Sequence, residues 1–218
     1  MSYSIAIDGP AGAGKSTIAK KIAKKKGFIY VDTGAMYRAM ALYLIRKGIK
    51  PSESEKISKA CKDADITISY ENDEQIVWLN GENVNPYLRT EEVGNMASAS
   101  SVNKDVRIKL VELQQKLAAT NQVVMDGRDI GTCVLPDADV KVYLTASSKV
   151  RAKRRYDELT AKGEACDIDA IEKDIIERDE RDMTREMSPL KQAEDATLVD
   201  SSDMDIEQVV EAILGLCK

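Results

Sequence analysis

Histidine is absent from the 218-residue sequence, and its absence excludes several kinds of catalytic site. Ser-His-Asp and Cys-His nucleophilic sites, histidine-ligated zinc or haem, and imidazole proton shuttles all require that side chain. Any chemistry must therefore depend on carboxylates, lysine, arginine, hydroxyl groups, backbone amides or a bound ion.

Cysteine pairs and long apolar runs are also absent. The four cysteines, Cys61, Cys133, Cys166 and Cys217, include no Cys-x-x-Cys pair, so we expect free thiols in a reducing compartment. No apolar run approaches the roughly 20 residues that span a bilayer. The N-terminus lacks the basic segment of a signal peptide and has an acid at position 8. These absences predict a soluble, cytoplasmic protein without a membrane partner.

The charge balance argues against a nucleic-acid partner. The chain has 32 Lys and Arg against 37 Asp and Glu, a formal net charge of −5, and a pI near 5.1. Non-specific binding to DNA or to anionic membranes needs a surplus of cations. We therefore expect small-molecule ligands, with any anion bound at a local basic cluster. A monomer is a separate expectation that does not follow from the charge.

Strands alternate with helices along most of the chain, which is typical of a parallel sheet covered by helices. Strands are predicted at residues 4–8, 28–31, 122–126, 140–144 and 196–200. Helices are predicted at residues 15–26, 34–47, 53–63, 91–101, 105–119, 148–161, 168–186 and 206–216. Residues 65–85 instead alternate like antiparallel strands, and Asn80-Gly81 is a hairpin signal. The prediction is an α/β, P-loop NTPase-type three-layer fold with a parallel central sheet, a small antiparallel β insertion and a helical lid.

The turn after the first strand matches the phosphate-binding pattern G-x-x-x-x-G-K-[ST]. Its residues are Gly9, Pro10, Ala11, Gly12, Ala13, Gly14, Lys15, Ser16 and Thr17. The glycines let backbone amides point at phosphate oxygens, and the following helix adds the positive end of its dipole. Lys15 can reach the β and γ phosphates, and the Ser16 hydroxyl can ligate Mg²⁺. The alternative, a glycine-rich turn without a ligand, is disfavoured because the segment follows a strand and opens a helix.

The second strand ends near three further polar residues, Asp32, Thr33 and Arg38. The carboxyl ends of strands in such sheets line the ligand crevice, so these residues are expected near bound ligands. The Arg38 guanidinium could donate two hydrogen bonds to a phosphate, or Arg38 could be a solvated arginine on a helix surface.

The strand near residue 123 runs into Asp126, at the position of a carboxylate that holds Mg²⁺ directly or through water. Arg128 and Asp129 follow in a turn between Gly127 and Gly131. One member of this couple could bind a phosphate and the other the edge of a base. The alternative is that they form a structural ion pair.

Arginines also recur at helical spacing on two late helices. The two sets are Arg151, Arg154 and Arg155, and Arg178, Arg181 and Arg185. Each set falls on one helix face, and the polar segment between the helices suits a mobile lid. The two faces could surround a transferring phosphoryl group and exclude water. The second helix is otherwise acidic, and the alternative for it is a solvated helix in which Asp174 pairs with Arg178 and Glu177 with Arg181.

Together these segments resemble the cytidylate kinase family of nucleoside monophosphate kinases. The matching motifs are G-P-A-G-A-G-K-S-T, D-T-G-A-M-Y-R, D-G-R-D-I-G-T, and E-R-D-E-R-D-M-T-R followed by S-P-L. The resemblance covers essentially the whole chain and implies Mg²⁺-dependent phosphoryl transfer from ATP to CMP or dCMP. The alternatives are a P-loop kinase of another nucleoside monophosphate (UMP or AMP) or of a small metabolite, and a P-loop module that hydrolyses or senses ATP.

The resemblance also implies a division of the chain and roles for single residues. One kinase domain would span residues 1–218, with a core (1–60, 102–150 and 170–218), a monophosphate-binding insertion (about 61–101) and a lid (about 151–169). The implied CMP contacts are Arg38 and Arg128 with the 5′-phosphate, Ser98, Arg107 and Asp129 with the cytosine edge, and Asp182 and Arg178 with the ribose, together with Thr33. The implied catalytic residues are Lys15, Arg178 and Arg185; Arg154 would join the phosphate-binding turn in binding ATP, and Ser16 and Asp126 would hold the metal.

Overall fold

A computed structural model describes residues 2–72 and 74–217 and confirms the α/β class. The strands are β1 (Ser4–Asp8), β2 (Ile29–Asp32), β3 (Ile66–Glu71), β4 (Glu74–Leu79), β5 (Glu82–Asn83), β6 (Val123–Gly127), β7 (Val140–Thr145) and β8 (Thr197–Asp200). The helices are α1 (Lys15–Lys26), α2 (Thr33–Arg46), α3 (Ser54–Ala60), α4 (Glu91–Ser100), α5 (Lys104–Thr120), α6 (Ser148–Ala161), α7 (Ile168–Thr184) and α8 (Ile206–Leu214). The five strands predicted for the parallel sheet coincide with β1, β2, β6, β7 and β8 to within one residue at either end.

The chain forms two compact units, and the predicted division into core, insertion and lid stays a prediction. The first unit contains Tyr3–Phe28 and residues 122–217; the second contains Ile29–Asn121 together with Ser2. None of the helices in the described part of the chain combines the length and apolar character needed to traverse a bilayer.

The first unit is built on parallel strands in the order β6-β1-β7-β8. Every residue of β1 is buried, as expected for a central strand covered on both faces. Asp8, the last residue of β1, lies opposite Gly127 of β6 and Tyr143 of β7. Because the strands are parallel, their carboxyl ends lie at one edge of the sheet, and the turns that follow them start there.

The second unit combines helices α2 to α5 with the antiparallel sheet β3-β4-β5. Its core includes the buried face of α2, which packs against α4, α5 and β4. The hairpin register places Ile66 opposite Leu79 and Trp78 opposite Asn83. Asn80 and Gly81 have φ values of 50° and 80°, the conformation that the Asn-Gly pair favours. The predicted antiparallel insertion and its turn are therefore confirmed.

Three local features differ from the predictions. The helix predicted to reach residue 186 ends at Thr184, because the backbone of Arg185 is extended, with φ −62° and ψ 140°. The helix predicted to reach residue 63 changes into a 3₁₀ turn at Cys61–Asp63. A π-helical turn, Ile130–Val134, follows β6 and was not predicted.

Gly9, the first residue after β1, is in close contact with the neighbouring strand. Its φ is 147°, and a Cβ at this position would lie 1.9 Å from the carbonyl oxygen of Leu144 in β7. A side chain at position 9 would therefore meet backbone that cannot move without disturbing the sheet.

We expect Gly9→Ala to lower the free energy of unfolding by at least about 3 kcal/mol, since it combines a strained φ with a collision against backbone. Gly27→Ala is the matched control: Gly27 also has a positive φ (69°), but nothing lies within 4 Å of its Cβ position. The control should lose about 1 to 2 kcal/mol. Urea unfolding of both variants provides the measurement, and equal losses would contradict the role of the Leu144 contact.

Candidate functional site

The phosphate-binding turn lies between β1 and α1 in the first unit. Lys15 opens α1 and is only 6% exposed, and its Nζ donates a hydrogen bond of 2.6 Å to the carbonyl of Pro10. Burial lowers the pKa of Lys15 well below its usual range, and the positive charge of Arg128 lowers it further. The carboxylates of Asp126 and Asp8 act in the opposite direction. A polyphosphate anion near this ammonium group would likewise stabilise its charged form.

Ser16 and Asp126 lie together, as a metal site at this turn requires. The Ser16 Oγ donates a hydrogen bond of 2.8 Å to Oδ2 of Asp126, which β6 presents at its buried end. A hydroxyl and a carboxylate are hard oxygen ligands of the type that Mg²⁺ prefers. Mg²⁺ is usually bound by one or two protein oxygen ligands, with phosphate and water as the others, so this pair fits that ion.

Asp8 holds the turn that follows β6. Its Oδ1 accepts the N–H of Ile130 and its Oδ2 accepts the N–H of Gly131, both at 2.7 Å. Burial raises the pKa of Asp8 to about 6, although the two amide hydrogen bonds oppose this increase. The negative charge of Asp129 raises this pKa further, and the charge of Lys15 lowers it.

Arg128 and Asp129 each contact the end of α7. Arg128 Nε donates to Oδ2 of Asp182 at 2.8 Å, and NH2 of Arg185 lies 3.6 Å from Oδ1 of Asp129. Arg185 also lies 3.9 Å from Asp182, so the four side chains form a connected cluster. Burial alone would raise the pKa of Asp182, but the charges of Arg128, Arg185 and Arg178 outweigh it and lower the pKa. Four of the predicted site residues are thus brought together by ion pairs.

The arginines of α6 have three different environments, although the spacing predicts one face. Arg151 is buried: its NH1 donates to the carbonyl of Ala11 at 2.9 Å, and its NH2 pairs with Asp179 of α7 at 2.7 Å. Arg154 donates to the carbonyl of Ser201 at 2.8 Å, with its NH1 4.0 Å from the Cβ position of Gly14. Arg155 is exposed and pairs with a neighbouring acid on its own helix. Arg154 therefore lies beside the phosphate-binding turn, where it was predicted to bind ATP.

The second unit contains the other predicted substrate residues. Thr33 and Arg38 lie in the first part of α2, and Ser98 lies on α4. Arg107 of α5 is buried, with its guanidinium carbon 5.6 Å from the centre of the Tyr37 ring of α2. Its NH1 donates to the carbonyl of Ser101 at 3.3 Å. The structure therefore places α2 and Arg107 in contact through Tyr37.

Asp32 organises the start of α2. Its Oδ1 caps the helix by accepting the N–H of Ala35 at 2.9 Å, and its Oδ2 pairs with Arg89 at 3.0 Å. The amide of Gln75 in β4 bonds to both backbone groups of Asp32, at 2.9 and 3.2 Å. The small sheet thus holds the segment that precedes Thr33.

Three residues that hold these segments in place were not predicted from the sequence: Asp8, Asp179 and Gln75. Asp8 directly precedes the phosphate-binding turn, and this position is the one sequence feature that could have indicated its role. Asp179 and Gln75 lie in polar stretches where nothing distinguishes them from neighbouring polar residues. Arg151 was noted for its spacing only, and its contact with Ala11 spans 140 positions of the chain.

Comparisons of the sequence with known proteins point to one family. A family model described as cytidylate kinase matches residues 5–218. The chain is 51% identical to a cytidylate kinase from Caldicellulosiruptor saccharolyticus, over 97% of this chain and 94% of that protein. It is 47% identical to one from Shouchella clausii (99% and 96%) and 46% identical to one from Bacillus subtilis (97% and 94%).

Comparisons of the structure show the fold alone. An uncharacterized protein from Eubacterium ventriosum superposes with a TM-score of 0.53 at 14% identity, over 99% of this chain and 97% of that chain. A shikimate kinase from Bacteroides thetaiotaomicron superposes with a TM-score of 0.50 at 14% identity, over 98% and 97%. The chain thus shares its fold with these two structures.

We expect Arg151→Ala to lower the free energy of unfolding by about 3 to 5 kcal/mol, because it leaves Asp179 buried without its cation. Arg155→Ala, on the same helix but at an exposed pair, should change it by about 1 kcal/mol or less. Chemical denaturation of both variants tests the difference. Similar small losses in both would show that the Arg151 pair does not stabilise the first unit.

Proposed function

This chain belongs to the cytidylate kinase family, and on that premise we propose that it transfers the γ-phosphoryl group of ATP to the 5′-phosphate of CMP or dCMP. The products are ADP and CDP or dCDP. The observation that carries the proposal is the family match over residues 5–218, which includes the complete phosphate-binding turn at residues 9–17.

The reaction needs no general base. The acceptor is a phosphate oxygen, and the second pKa of a phosphate is near 6, so the acceptor is largely deprotonated at pH 7. Catalysis then consists of alignment of the two substrates and neutralisation of charge on the transferring group. A chain without histidine can perform both tasks with its amides, lysine and arginines.

On the ATP side, the backbone amides of residues 9–17 and the Lys15 ammonium group bind the phosphates. Arg154 adds a cation beside Gly14. Ser16 and Asp126 would hold Mg²⁺, directly or through water, and their contact at 2.8 Å supports this assignment. When bound with ATP, the metal ion would neutralise charge on the β and γ phosphates.

On the acceptor side, the family resemblance assigns roles to single residues. Arg38 and Arg128 hold the 5′-phosphate. Arg128 already pairs with Asp182 at 2.8 Å, and a phosphate is a comparable anionic partner for the same guanidinium. Thr33, Ser98 and Arg107 complete the nucleotide contacts on the second unit.

Asp129 reads the base through its carboxylate, which accepts a hydrogen bond from the exocyclic amine of cytosine. Uracil presents a carbonyl oxygen at the same place, and two acceptors repel each other. Asp182 and Arg178 contact the ribose. Arg178 and Arg185 neutralise the transferring phosphoryl group, and the ion pairs of Arg185 with Asp129 and Asp182 support its placement near the nucleotide.

We further propose that the protein acts as a cytoplasmic monomer without a nucleic-acid or membrane partner. The net charge of −5 supports the exclusion of polyanionic partners. The polar segment between α6 and α7, in the predicted lid at about residues 151–169, closes during the reaction and excludes water as a competing acceptor.

An acceptor panel tests the proposed function. ADP release should depend on CMP or dCMP, should be much slower with UMP or AMP, and should be near zero without an acceptor or without Mg²⁺. A coupled assay of ADP formation measures each rate. Equal rates with UMP and CMP would remove Asp129 from the role of base reader, and acceptor-independent ADP release would favour an ATPase.

We expect Lys15→Ala and Arg185→Ala each to lower kcat by about two orders of magnitude or more while the fold persists, because each removes a cation from the transferring phosphate. Lys24→Ala and Arg181→Ala are matched controls, since they are exposed and lie on α1 and α7. The controls should keep kcat within about twofold. Steady-state kinetics with circular dichroism distinguishes these outcomes; near-normal turnover of the Lys15 or Arg185 variant would contradict its role.

A further inference from the structure

Asp8 is a buried carboxylate that the proposed mechanism does not use. It is 5% exposed and directly precedes Gly9, the first residue of the phosphate-binding turn. Its two oxygens bond to the consecutive amides of Ile130 and Gly131 at 2.7 Å. One side chain at the end of β1 therefore holds a segment that is 122 residues away in the sequence.

The segment held by Asp8 is the one that carries the proposed acceptor residues. Arg128 and Asp129 immediately precede the two bonded amides. On the other side, the carbonyl of Asp129 accepts the amides of Cys133 and Val134 at 2.9 and 3.2 Å. The backbone of this turn is thus fixed by two hydrogen bonds to Asp8 and by the hydrogen bonds of its own π-helical turn.

The contact requires a carboxylate rather than any polar side chain of that size. A carboxylate has two acceptor oxygens, whereas the amide of asparagine has one acceptor and one donor. An asparagine at this position would present its NH₂ group to an N–H, which leaves one buried amide without an acceptor. Retaining the carboxylate has an energetic cost, because burial and the nearby charge of Asp129 both disfavour its ionised form.

Gly131 provides a second, independent indication that the turn lies close to Asp8. A Cβ on residue 131 would lie 3.3 Å from Cδ of Lys141 and 3.4 Å from Oδ2 of Asp8. Both neighbours are buried and have fixed partners: Lys141 pairs with Asp195 at 2.6 Å. A methyl group at position 131 would therefore crowd the Lys141 side chain and require a shift of a few tenths of an ångström in the turn or in that side chain.

We propose that Asp8 is a positioning residue for the acceptor: it fixes the turn that presents Arg128 and Asp129 to the nucleoside monophosphate. The inference rests on the proposed function, because it assigns those two residues to the acceptor. It adds a residue that touches neither substrate and acts through two backbone amides. Displacing a binding group by about 1 Å can lower a rate by about 100-fold, so an effect on the acceptor is expected to be large.

Two variants separate positioning from the charge of Asp8. Asp8→Asn removes both one hydrogen bond and the charge that acts on Lys15. Gly131→Ala keeps the charge and crowds the turn against Lys141. Asp8→Asn should lower kcat/KM for CMP by about 10- to 100-fold, and Gly131→Ala should lower it by a smaller factor, about 3-fold or more. Only Asp8→Asn should change the KM for ATP, and Gly131→Ala should keep it within about twofold.

Asp139→Asn is the matched control. Asp139 also accepts a backbone amide of β1, that of Ser4 at 2.8 Å, but at the opposite end of the strand. Its substitution should leave kcat/KM for CMP within about twofold. Hydrogen exchange of the Ile130 and Gly131 amides, followed by NMR on the free protein, should accelerate about 10-fold or more in Asp8→Asn and not in Asp139→Asn.

The readouts distinguish failure of the inference from failure of the proposed function. If wild type phosphorylates CMP, and Asp8→Asn and Gly131→Ala do so with unchanged kcat/KM, Asp8 has only a structural role and the inference is wrong. Unchanged amide exchange in Asp8→Asn overturns it as well. If wild type does not phosphorylate CMP, the proposed function itself is overturned, whatever the exchange rates are. Gly131→Ala keeps the test decisive if Asp8→Asn does not fold.

Discussion

The concentration of positive charge in the first unit is the constraint on which the site depends. Burial disfavours the charge of Lys15, and the nearby charge of Arg128 adds to this cost. The chain offsets this cost with carboxylates placed among the cations, such as Asp182 beside Arg128 and Asp129 beside Arg185. Each such pair keeps a cation in place, and a phosphate oxygen can replace the carboxylate at similar geometry.

The parallel strands make this arrangement possible with few contacts. Strands β1 and β6 end side by side, so Asp8 and Asp126 lie at the same edge of the sheet. The phosphate-binding turn follows one strand and the Arg128-Asp129 turn follows the other. Helix α7 then supplies Asp182, and α6 reaches back to the carbonyl of Ala11 through Arg151. Contacts of charged side chains thus connect the phosphate-binding turn, the turn after β6 and the helices α6 and α7.

Features set by neighbouring residues could be predicted from the sequence. The turn at residues 9–17, the Asn80-Gly81 hairpin and the end of α1 at Gly27 depend on local backbone preferences and were located correctly. Long-range pairings could not be predicted, because periodicity does not distinguish a buried arginine from an exposed one. Arg151 and Arg155 lie one turn apart on α6, yet only the three-dimensional path of the chain brings Ala11 and Asp179 to the first of them.

The contact of Gly9 with the carbonyl of Leu144 separates two constraints that the phosphate-binding pattern combines. Lys15 and Ser16 serve nucleotide binding in the proposed function, whereas Gly9 lies so close to the carbonyl of Leu144 that a side chain there would disturb the pairing of β1 with β7. A descendant of this protein that had lost its activity would be free to replace Lys15 but would still have to keep Gly9. Loss of activity in such a lineage would therefore be recognised from substitutions at Lys15. Retention of the first glycine would give no information about activity.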